Sequence, residues 1–314
     1  MSGGDTESTG APLFLTRHRG LREELVRLTR AMDSDATVLL LGAPGTGKDR
    51  LAALLHQRSA RAAEPFVRVD LAAVADDLFE SELFGHERGA FTGAMSGKPG
   101  LLEGAGAGTL YLDRIDALSL RAQGKLLRLL EERVLQRVGG TRQTRLRARF
   151  VASAGPDLPR RMRAGEFRED LFYRLAVVTV RLPVLAERRT DLLPAARAFL
   201  RAQGIALPLS AGARDALLKH PFRGNFRELE NVLKRGALEA QAAGARSLEE
   251  SHLGLAHASE PEAVLTLAAR SGWTLRRLTD AYIQLVLEEC GGNVAEAARR
   301  LGVARKTLYA RGHA

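Results

Sequence analysis

The sequence carries a single cysteine, Cys290, in 314 residues. That excludes an internal disulfide framework and a cysteine-rich zinc site. It has no run of about 18 or more uncharged apolar residues, so no transmembrane helix is expected. The opening MSGGDTESTG is polar and acidic rather than basic and then apolar, and no secretory signal is expected there. The one tryptophan, Trp273, reads as a packing residue where the last helical segment begins. No internal repeat is visible. Acidic side chains are in deficit, with 37 Asp and Glu against 47 Lys and Arg and a formal net charge of +10. These absences point to a soluble cytoplasmic protein with no membrane partner.

Apolar residues make up 45% of the chain, enough for one large domain core and a smaller one. The basic surplus raises the expectation of a polyanion partner, although Arg- and Ala-rich chains often run basic without one. The surplus is also uneven. Residues Arg121 to Arg189 hold 17 basic and 7 acidic side chains, an excess of ten that equals the excess of the whole chain. It does not fall on a terminal DNA-binding tail.

Hydrophobic periodicity gives the layout. Residues 1–12 read as a disordered lead-in, and Leu21, Leu25 and Leu28 have helical spacing. Short apolar strands are expected at 37–41, 66–69, 108–113, 149–153 and 177–182, separated by helical segments. That alternation describes an α/β subdomain with a parallel sheet over residues 13–183. Strands stop after Pro183, and 184–245 read as a helical lid. Residues 246–272 are expected to be a linker, and 273–314 a terminal helical domain.

Gly42-Ala-Pro-Gly-Thr-Gly-Lys48 fits the G-x-x-x-x-G-K phosphate loop, between an apolar strand and a helix as that motif requires. Its glycines let backbone N–H groups curl around phosphate, the helix N-terminus adds a positive dipole end, and Lys48 reaches the β- and γ-phosphates. Gly42, Gly45, Thr46, Gly47, Lys48 and Asp49 are therefore candidate nucleotide contacts, with Asp49 standing where Ser or Thr is usual. Asp113 closes the third strand, where a carboxylate can hold Mg²⁺ through water. The next residue, where a water-orienting glutamate is normal, is Arg114, which cannot accept a proton at neutral pH. Asp116 is nearby, but its offset from the strand end is wrong for that role.

Gly85-His-Glu-Arg-Gly-Ala-Phe-Thr-Gly-Ala94 contains G-A-F-T-G-A, a loop peculiar to bacterial enhancer-binding proteins, the AAA+ ATPase activators of sigma-54 RNA polymerase. Further segments resemble that family. Phe167 to Leu175 resembles its arginine-finger segment, Arg181 to Arg189 the strand and turn into its lid, and Pro221 to Asn231 its second-sensor segment. Gly291 to Val303 with Thr307-Leu-Tyr309 resembles its Fis-type helix-turn-helix. The resemblance covers roughly residues 18–310, in a short architecture that begins at the ATPase with no receiver domain. It implies an AAA+ P-loop NTPase core with a helical lid and a Fis-type helix-turn-helix domain. It implies ATP and Mg²⁺ as cofactors, Asp113 as the metal residue, and sigma-54 RNA polymerase and enhancer DNA as partners. Subunits would form a ring, commonly a hexamer. Arg168 and Arg174 would act catalytically in the neighbouring subunit's site, and Arg227 would touch nucleotide from its own lid. Gly89, Ala90, Phe91, Thr92, Gly93 and Ala94 would contact sigma-54. Read from the residues alone, Phe91 could instead fold into the core, and Arg168 and Arg174 could simply pair with Glu169 and Asp170.

Three linked positions depart from the family. Asp70 stands where an asparagine switches the catalytic glutamate, Arg114 stands at that glutamate, and Ala154 and Gly155 replace the Thr-Asn of the first sensor. None of these departures touches the phosphate loop. The expectation is a sigma-54-dependent regulator that binds ATP and DNA with hydrolysis impaired. The alternative is a catalytically inactive partner or modulator subunit, in a homo-oligomeric ring or a mixed ring with an active paralogue.

At the C-terminus, Asn293 can cap a helix over 294–300, with Ala297, Ala298 and Leu301 on its core face and Gly302 in the turn. Arg305, Lys306, Thr307 and Tyr309 are candidate DNA contacts at the start of a recognition helix. That helix is short, since Gly312 weakens the final Arg311-Gly-His-Ala314. A three-helix bundle kept for dimerisation or folding remains the alternative for this region.

Overall fold

The computed structural model describes residues 16–255, 272–290, 293–305 and 308. The expected disordered lead-in at 1–12, most of the expected linker, and Lys306, Thr307 and Tyr309 lie outside these residues. The chain divides into two compact units, the first ending at Leu255 and the second covering the terminal segment.

The first unit opens with α1 (Arg19–Arg30), β1 (Val38–Leu41), α2 (Lys48–Gln57), β2 (Phe66–Asp70) and α3 (Phe79–Phe84). Two minimal strands follow, β3 (Gly85–His86) and β4 (Lys98–Pro99), then β5 (Thr109–Asp113) and α4 (Leu120–Glu132). A hairpin of β6 (Val134–Gln136) and β7 (Gln143–Arg145) precedes β8 (Arg149–Ala154), α5 (Leu158–Arg163), α6 (Glu169–Leu175) and β9 (Val178–Arg181). Strands β2, β5, β8, β1 and β9 form, in that order, a five-stranded parallel sheet. The five strands expected from hydrophobicity are these five. The two hairpins were not expected, because strands of two or three residues leave no periodic signal.

The central strands β5, β8 and β1 are buried on both faces, which is why they read as largely apolar runs rather than alternating ones. Leu39 and Leu41 of β1 face a core completed by Phe79, Leu83, Leu126, Leu130, Leu171 and Leu175 from α3, α4 and α6. Val38 and Leu40 face the other way, against Leu21, Leu25 and Leu28 of α1 and Leu51 and Leu55 of α2. Each fully buried leucine contributes about 1.5–3 kcal/mol. Arg149 is also buried, where its guanidinium donates to the carbonyls of Ala31, Met32 and Ala36 at 3.0, 2.6 and 3.3 Å. It ties the end of α1 to β8, and burial pushes its pKa down.

The lid comprises α7 (Leu192–Ala202), α8 (Ala211–Lys219), α9 (Asn225–Ala242) and α10 (Glu250–Leu253). Its core includes Leu192, Ala196, Leu217, Leu229 and Leu233, joined by Leu248 and Leu253. Residues 246–255 therefore pack into the lid instead of forming the start of a linker. One helical turn, with Leu253 on it and Leu248 just before it, is too short to show a period in the sequence.

In the second unit, α11 (Leu275–Glu289) packs on α12 (Val294–Leu301) through Ile283, Val286, Leu287, Ala297, Ala298 and Leu308. The Asn293 side chain accepts from the N–H groups of Ala295 and Glu296 at 3.1 and 3.2 Å, which caps α12. Gly302 ends α12 with a left-handed φ of 66°. Arg305 is exposed beyond that turn.

Candidate functional site

A cleft of about 950 Å³ opens at the carboxyl ends of the sheet strands, between the α/β body and the lid. That edge is where open α/β sheets take ligands. The phosphate loop after β1 forms one wall, and Gly45 and Gly47 adopt left-handed φ values of 76° and 99°. Thr46 is buried, and its hydroxyl donates to Ala43 O at 2.8 Å. The Lys48 ammonium donates to the carbonyls of Gly42 and Ala43 at 2.6 and 3.2 Å. Burial lowers its pKa, and the neighbouring Asp113, Asp116 and Asp49 work against that shift.

The lid is attached directly to this loop. Phe226 N–H donates to Gly45 O at 3.0 Å, and the Asn225 carboxamide donates to Pro44 O at 3.0 Å while accepting from Leu185 N–H at 2.7 Å. A Cβ on Gly45 would lie 2.3 Å from Gly224 O, so only glycine fits. The Arg188 guanidinium lies 4.5 Å from the Phe226 ring and donates to Thr46 O. Its burial brings its pKa down to about 10. Arg227 lines the cleft from the lid.

The opposite wall is the row of strand ends β2, β5 and β8, and it is built from charge. Register places Asp70 opposite Asp113 and Arg68 opposite Tyr111. The Arg114 guanidinium grips the Asp70 carboxylate, with Nε and Nη2 on Oδ1 at 2.9 and 2.6 Å and Nη2 also on Oδ2. The hydrogen bonds to Asp70 raise the Arg114 pKa further. Arg114 leaves β5 with a left-handed φ of 61°, and its N–H donates to the Ser153 hydroxyl at 3.1 Å. Just past β8, a Cβ on Gly155 would meet Asp157 Oδ1 at 2.7 Å and Asp116 Oδ2 at 3.1 Å. The Asp116 carboxylate thus fills the space a longer side chain at 155 would need. Its Oδ2 accepts the Gly155 N–H at 3.0 Å. Asp116 Oδ1 is buried and accepts no hydrogen bond among the described residues.

Asp113 is buried at the centre of this wall. Its Oδ1 accepts from the Ser153 hydroxyl and lies 3.1 Å from the Tyr111 hydroxyl, and its Oδ2 accepts from Arg68 Nη2 at 2.7 Å. Burial alone would raise its pKa, but the hydrogen bonds from Ser153 and Arg68 outweigh it and hold the carboxyl below the usual range. Asp49 has the same neighbours, with Oδ1 2.9 Å from the Tyr111 hydroxyl and Oδ2 2.9 Å from Arg68 Nη2. Burial pushes the Tyr111 pKa well above its ordinary value, so its hydroxyl stays protonated. All four oxygens of Asp113, the expected metal residue, and of its neighbour Asp49 are therefore engaged. Mg²⁺ beside a nucleotide takes one or two carboxylates together with phosphate oxygens and water. Here the Arg68 guanidinium sits between the two carboxylates that would serve it.

The structure thus brings Gly42, Gly45, Gly47, Lys48, Asp49, Asp113 and Arg227 to one cleft. It places Arg168 and Arg174 elsewhere on the molecule. Arg168 pairs with Asp170 at 2.8 Å, and Arg174 donates to Leu130 O at 3.3 Å. None of the cations of the basic stretch 121–189 lines the cleft. Some of them are used locally: Arg149 caps carbonyls, and Arg137 pairs with Glu103 and Glu87. The cleft's cations are Lys48, Arg50, Arg58, Arg68, Arg114 and Arg227. Arg68, Tyr111, Ser153 and Asn225 were not singled out in the sequence. The signal available for Arg68 was a charged residue in the middle of an apolar strand.

The Gly89–Ala94 loop leaves the body over β3 and β4. Gly89 N–H donates to Ala94 O at 2.9 Å and Ala94 N–H to Phe91 O at 3.0 Å, which closes a tight turn. Gly89 and Gly93 take φ values of 82° and 100° that their positions in this turn require. Phe91 is 44% exposed, with its ring edge-on to His86 at 5.0 Å, so it is not folded into the core.

Residues 14–181 match the sigma-54 interaction domain family, 186–264 an AAA+ ATPase lid domain, and 268–311 the Fis family of bacterial regulatory proteins. The chain is 41% identical over 296 residues to the transcriptional regulatory protein ZraR of Klebsiella oxytoca, covering 93% of this chain and 66% of ZraR. It is 42% identical over 301 residues to the nitric oxide reductase transcription regulator NorR2 of Cupriavidus necator, covering 88% of this chain and 58% of that protein. Against the solved structure of NtrX from Brucella abortus in complex with ATP, the TM-score is 0.68 at 29% identity, covering 94% of this chain and 67% of that one. The chain thus spans roughly three-fifths to two-thirds of the length of these relatives. No helix among the described residues is long and apolar enough to cross a membrane.

Proposed function

The chain belongs to the sigma-54 interaction domain family, with an AAA+ lid and a Fis-type domain behind it, and we propose that it is a cytoplasmic sigma-54-dependent transcriptional regulator that binds ATP but turns it over poorly. The observation that carries the second half is the Arg114–Asp70 ion pair at the mouth of a cleft whose phosphate-loop glycines and Lys48 are in place. A hydrolytic site needs a group that accepts a proton from water or orients it, and a guanidinium already paired with a carboxylate does neither. The backbone cradle needs none of these side chains to hold a phosphate. In this reading, Lys48 leaves its carbonyls for phosphate oxygens and Arg227 closes from the lid. The exposed Phe91–Thr92 tip contacts sigma-54 polymerase, because an exposed aromatic on a glycine-flanked turn is stabilised by a partner surface. The terminal unit contacts enhancer DNA through Arg305 and the residues after it.

Two measurements on the purified chain test this: nucleotide affinity, and the rate of phosphate release. Binding with phosphate release at least about 10²-fold below that of an active relative is expected. Turnover equal to the relative's would overturn the reading. Arg168 and Arg174, held away from the cleft of their own chain, support a second reading in which this subunit completes a neighbour's site in a mixed ring. Turnover of an active paralogue that rises on mixing with this chain, and does not rise with Arg168→Ala, would favour it.

A further inference from the structure

The charged wall contains a cation of its own. Arg68 stands on β2 directly opposite Tyr111, with its guanidinium 5.9 Å from that ring. One nitrogen, Nη2, lies 2.7 Å from Asp113 Oδ2 and 2.9 Å from Asp49 Oδ2. Asp49 is in the first turn of the helix that follows the phosphate loop, and Asp113 ends the neighbouring strand. Their carboxylates are the groups a divalent cation would use, and the guanidinium bridges them instead. Tyr111 and Ser153 hold the remaining oxygens from the buried side.

We infer that this cleft binds a nucleoside triphosphate without a divalent cation, with the Arg68 guanidinium supplying the positive charge beside the phosphates. The inference rests on the reading of the cleft as a nucleotide site. Arg68 is half-exposed on the cleft wall, and among the described residues only its Nη2 is engaged. Nη1 and Nε can therefore donate to phosphate oxygens while Nη2 keeps the carboxylates. A guanidinium is protonated at every working pH, so this charge is permanent. A Mg²⁺ arriving with the nucleotide would have to displace Arg68 from both carboxylates or sit against a like charge. Lys48 and Arg227 remain on the other sides of the cleft to complete the neutralisation.

The test is ATP binding by the full chain, measured by calorimetry in excess Mg²⁺ and in EDTA. The expected dissociation constants agree within about threefold. Arg68→Ala is expected to weaken binding in EDTA by about tenfold or more, with Mg²⁺ restoring most of it because Asp49 and Asp113 are released. Arg68→Lys keeps one charge, and its binding in EDTA should lie between the two. If Arg68→Ala does not fold, judged by its thermal melt, the wild-type pair of measurements and Arg68→Lys still decide. A tenfold or greater loss of wild-type affinity in EDTA would overturn the inference while leaving the nucleotide reading intact. Equal binding by wild type and Arg68→Ala in EDTA would remove Arg68 from the role. No ATP binding in either buffer would overturn the nucleotide reading itself.

Discussion

The phosphate-loop wall of the cleft and the strand-end wall are made of different materials. The first is mostly backbone: two left-handed glycines, a buried threonine, and carbonyls tied to the lid by Asn225, Phe226 and Arg188. The second is mostly side-chain charge, with Asp70 paired to Arg114, Asp49 and Asp113 bridged by Arg68, and Asp116 in the space beside Gly155. A backbone cradle is fixed by the fold and presents the same N–H groups whatever the neighbouring side chains are. A catalytic network is a handful of side chains at strand ends, replaceable without disturbing the core. Holding a triphosphate and attacking it are therefore separable demands within one cleft, and in the proposed reading it is the second that is impaired.

The largest expected effect breaks the first wall. Lys48→Ala removes the one side-chain cation that the phosphate loop contributes, and ATP affinity should fall by about 10³, or ~4 kcal/mol. Calorimetric titration checks this, and an unchanged affinity would mean that the two walls do not differ as argued. Next is an attempt to repair the second wall. The double variant Asp70→Asn with Arg114→Glu replaces the ion pair by an amide and a carboxylate beside the attacking position. Phosphate release should rise by about 10², the lower end of what a positioned acid–base group contributes. Arg114→Glu alone would set two carboxylates together at the ends of β2 and β5 and should gain less. A double variant as slow as the wild type would show that the first sensor, lost at Ala154 and Gly155, limits the rate instead.

A third experiment addresses the join between the loop wall and the lid. Asn225 is buried at a left-handed φ of 55° and satisfies both Leu185 N–H and Pro44 O. Asn225→Ala leaves both groups unpaired and should cost about 2 kcal/mol. In a unit of this size that lowers the melting temperature by about 4–8 °C. A melt unchanged within a degree would mean that the lid is not anchored through this residue.

Much of the loop wall was legible in advance because it is local: glycines, a lysine and an apolar strand lie between Val38 and Lys48. The central sheet strands were legible for a related reason, since burial on both faces leaves largely apolar runs. The charged wall was legible only as missing chemistry. Asp70, Arg114, Ala154 and Gly155 stood out as departures, but their partners depend on strand register. Arg68 meets Asp113, and Arg114 meets Asp70, only because β2 pairs with β5 in one alignment. A one-residue slip would send those side chains to the opposite face. The basic stretch at 121–189 also depends on tertiary placement: its arginines are close in sequence, yet Arg149 and Arg188 are buried and Arg137 and Arg161 pair locally. A single helical turn with one buried leucine, Leu253, hid the end of the lid.

The smallest expected effect is the one that most sharpens the contrast between the walls. The Arg114–Asp70 pair has three close contacts, but both side chains are more than one-third exposed. Solvent screens such a pair, and exposed ion pairs contribute about 0–1 kcal/mol. Arg114→Ala should therefore leave the melting temperature within about 2 °C of wild type. ATP affinity should change by less than about threefold, because the phosphate loop is untouched. Phosphate release should stay low, because alanine accepts a proton no better than arginine does. If Arg114→Ala instead lowers the melt by several degrees, the pair is a structural tie and its position at the mouth of the cleft is incidental. If it alone raises turnover, arginine is an active block and a carboxylate elsewhere in the cleft is orienting the water. A variant that changes neither quantity leaves the hydrolytic wall defined by what it lacks, beside a binding wall that never depended on it.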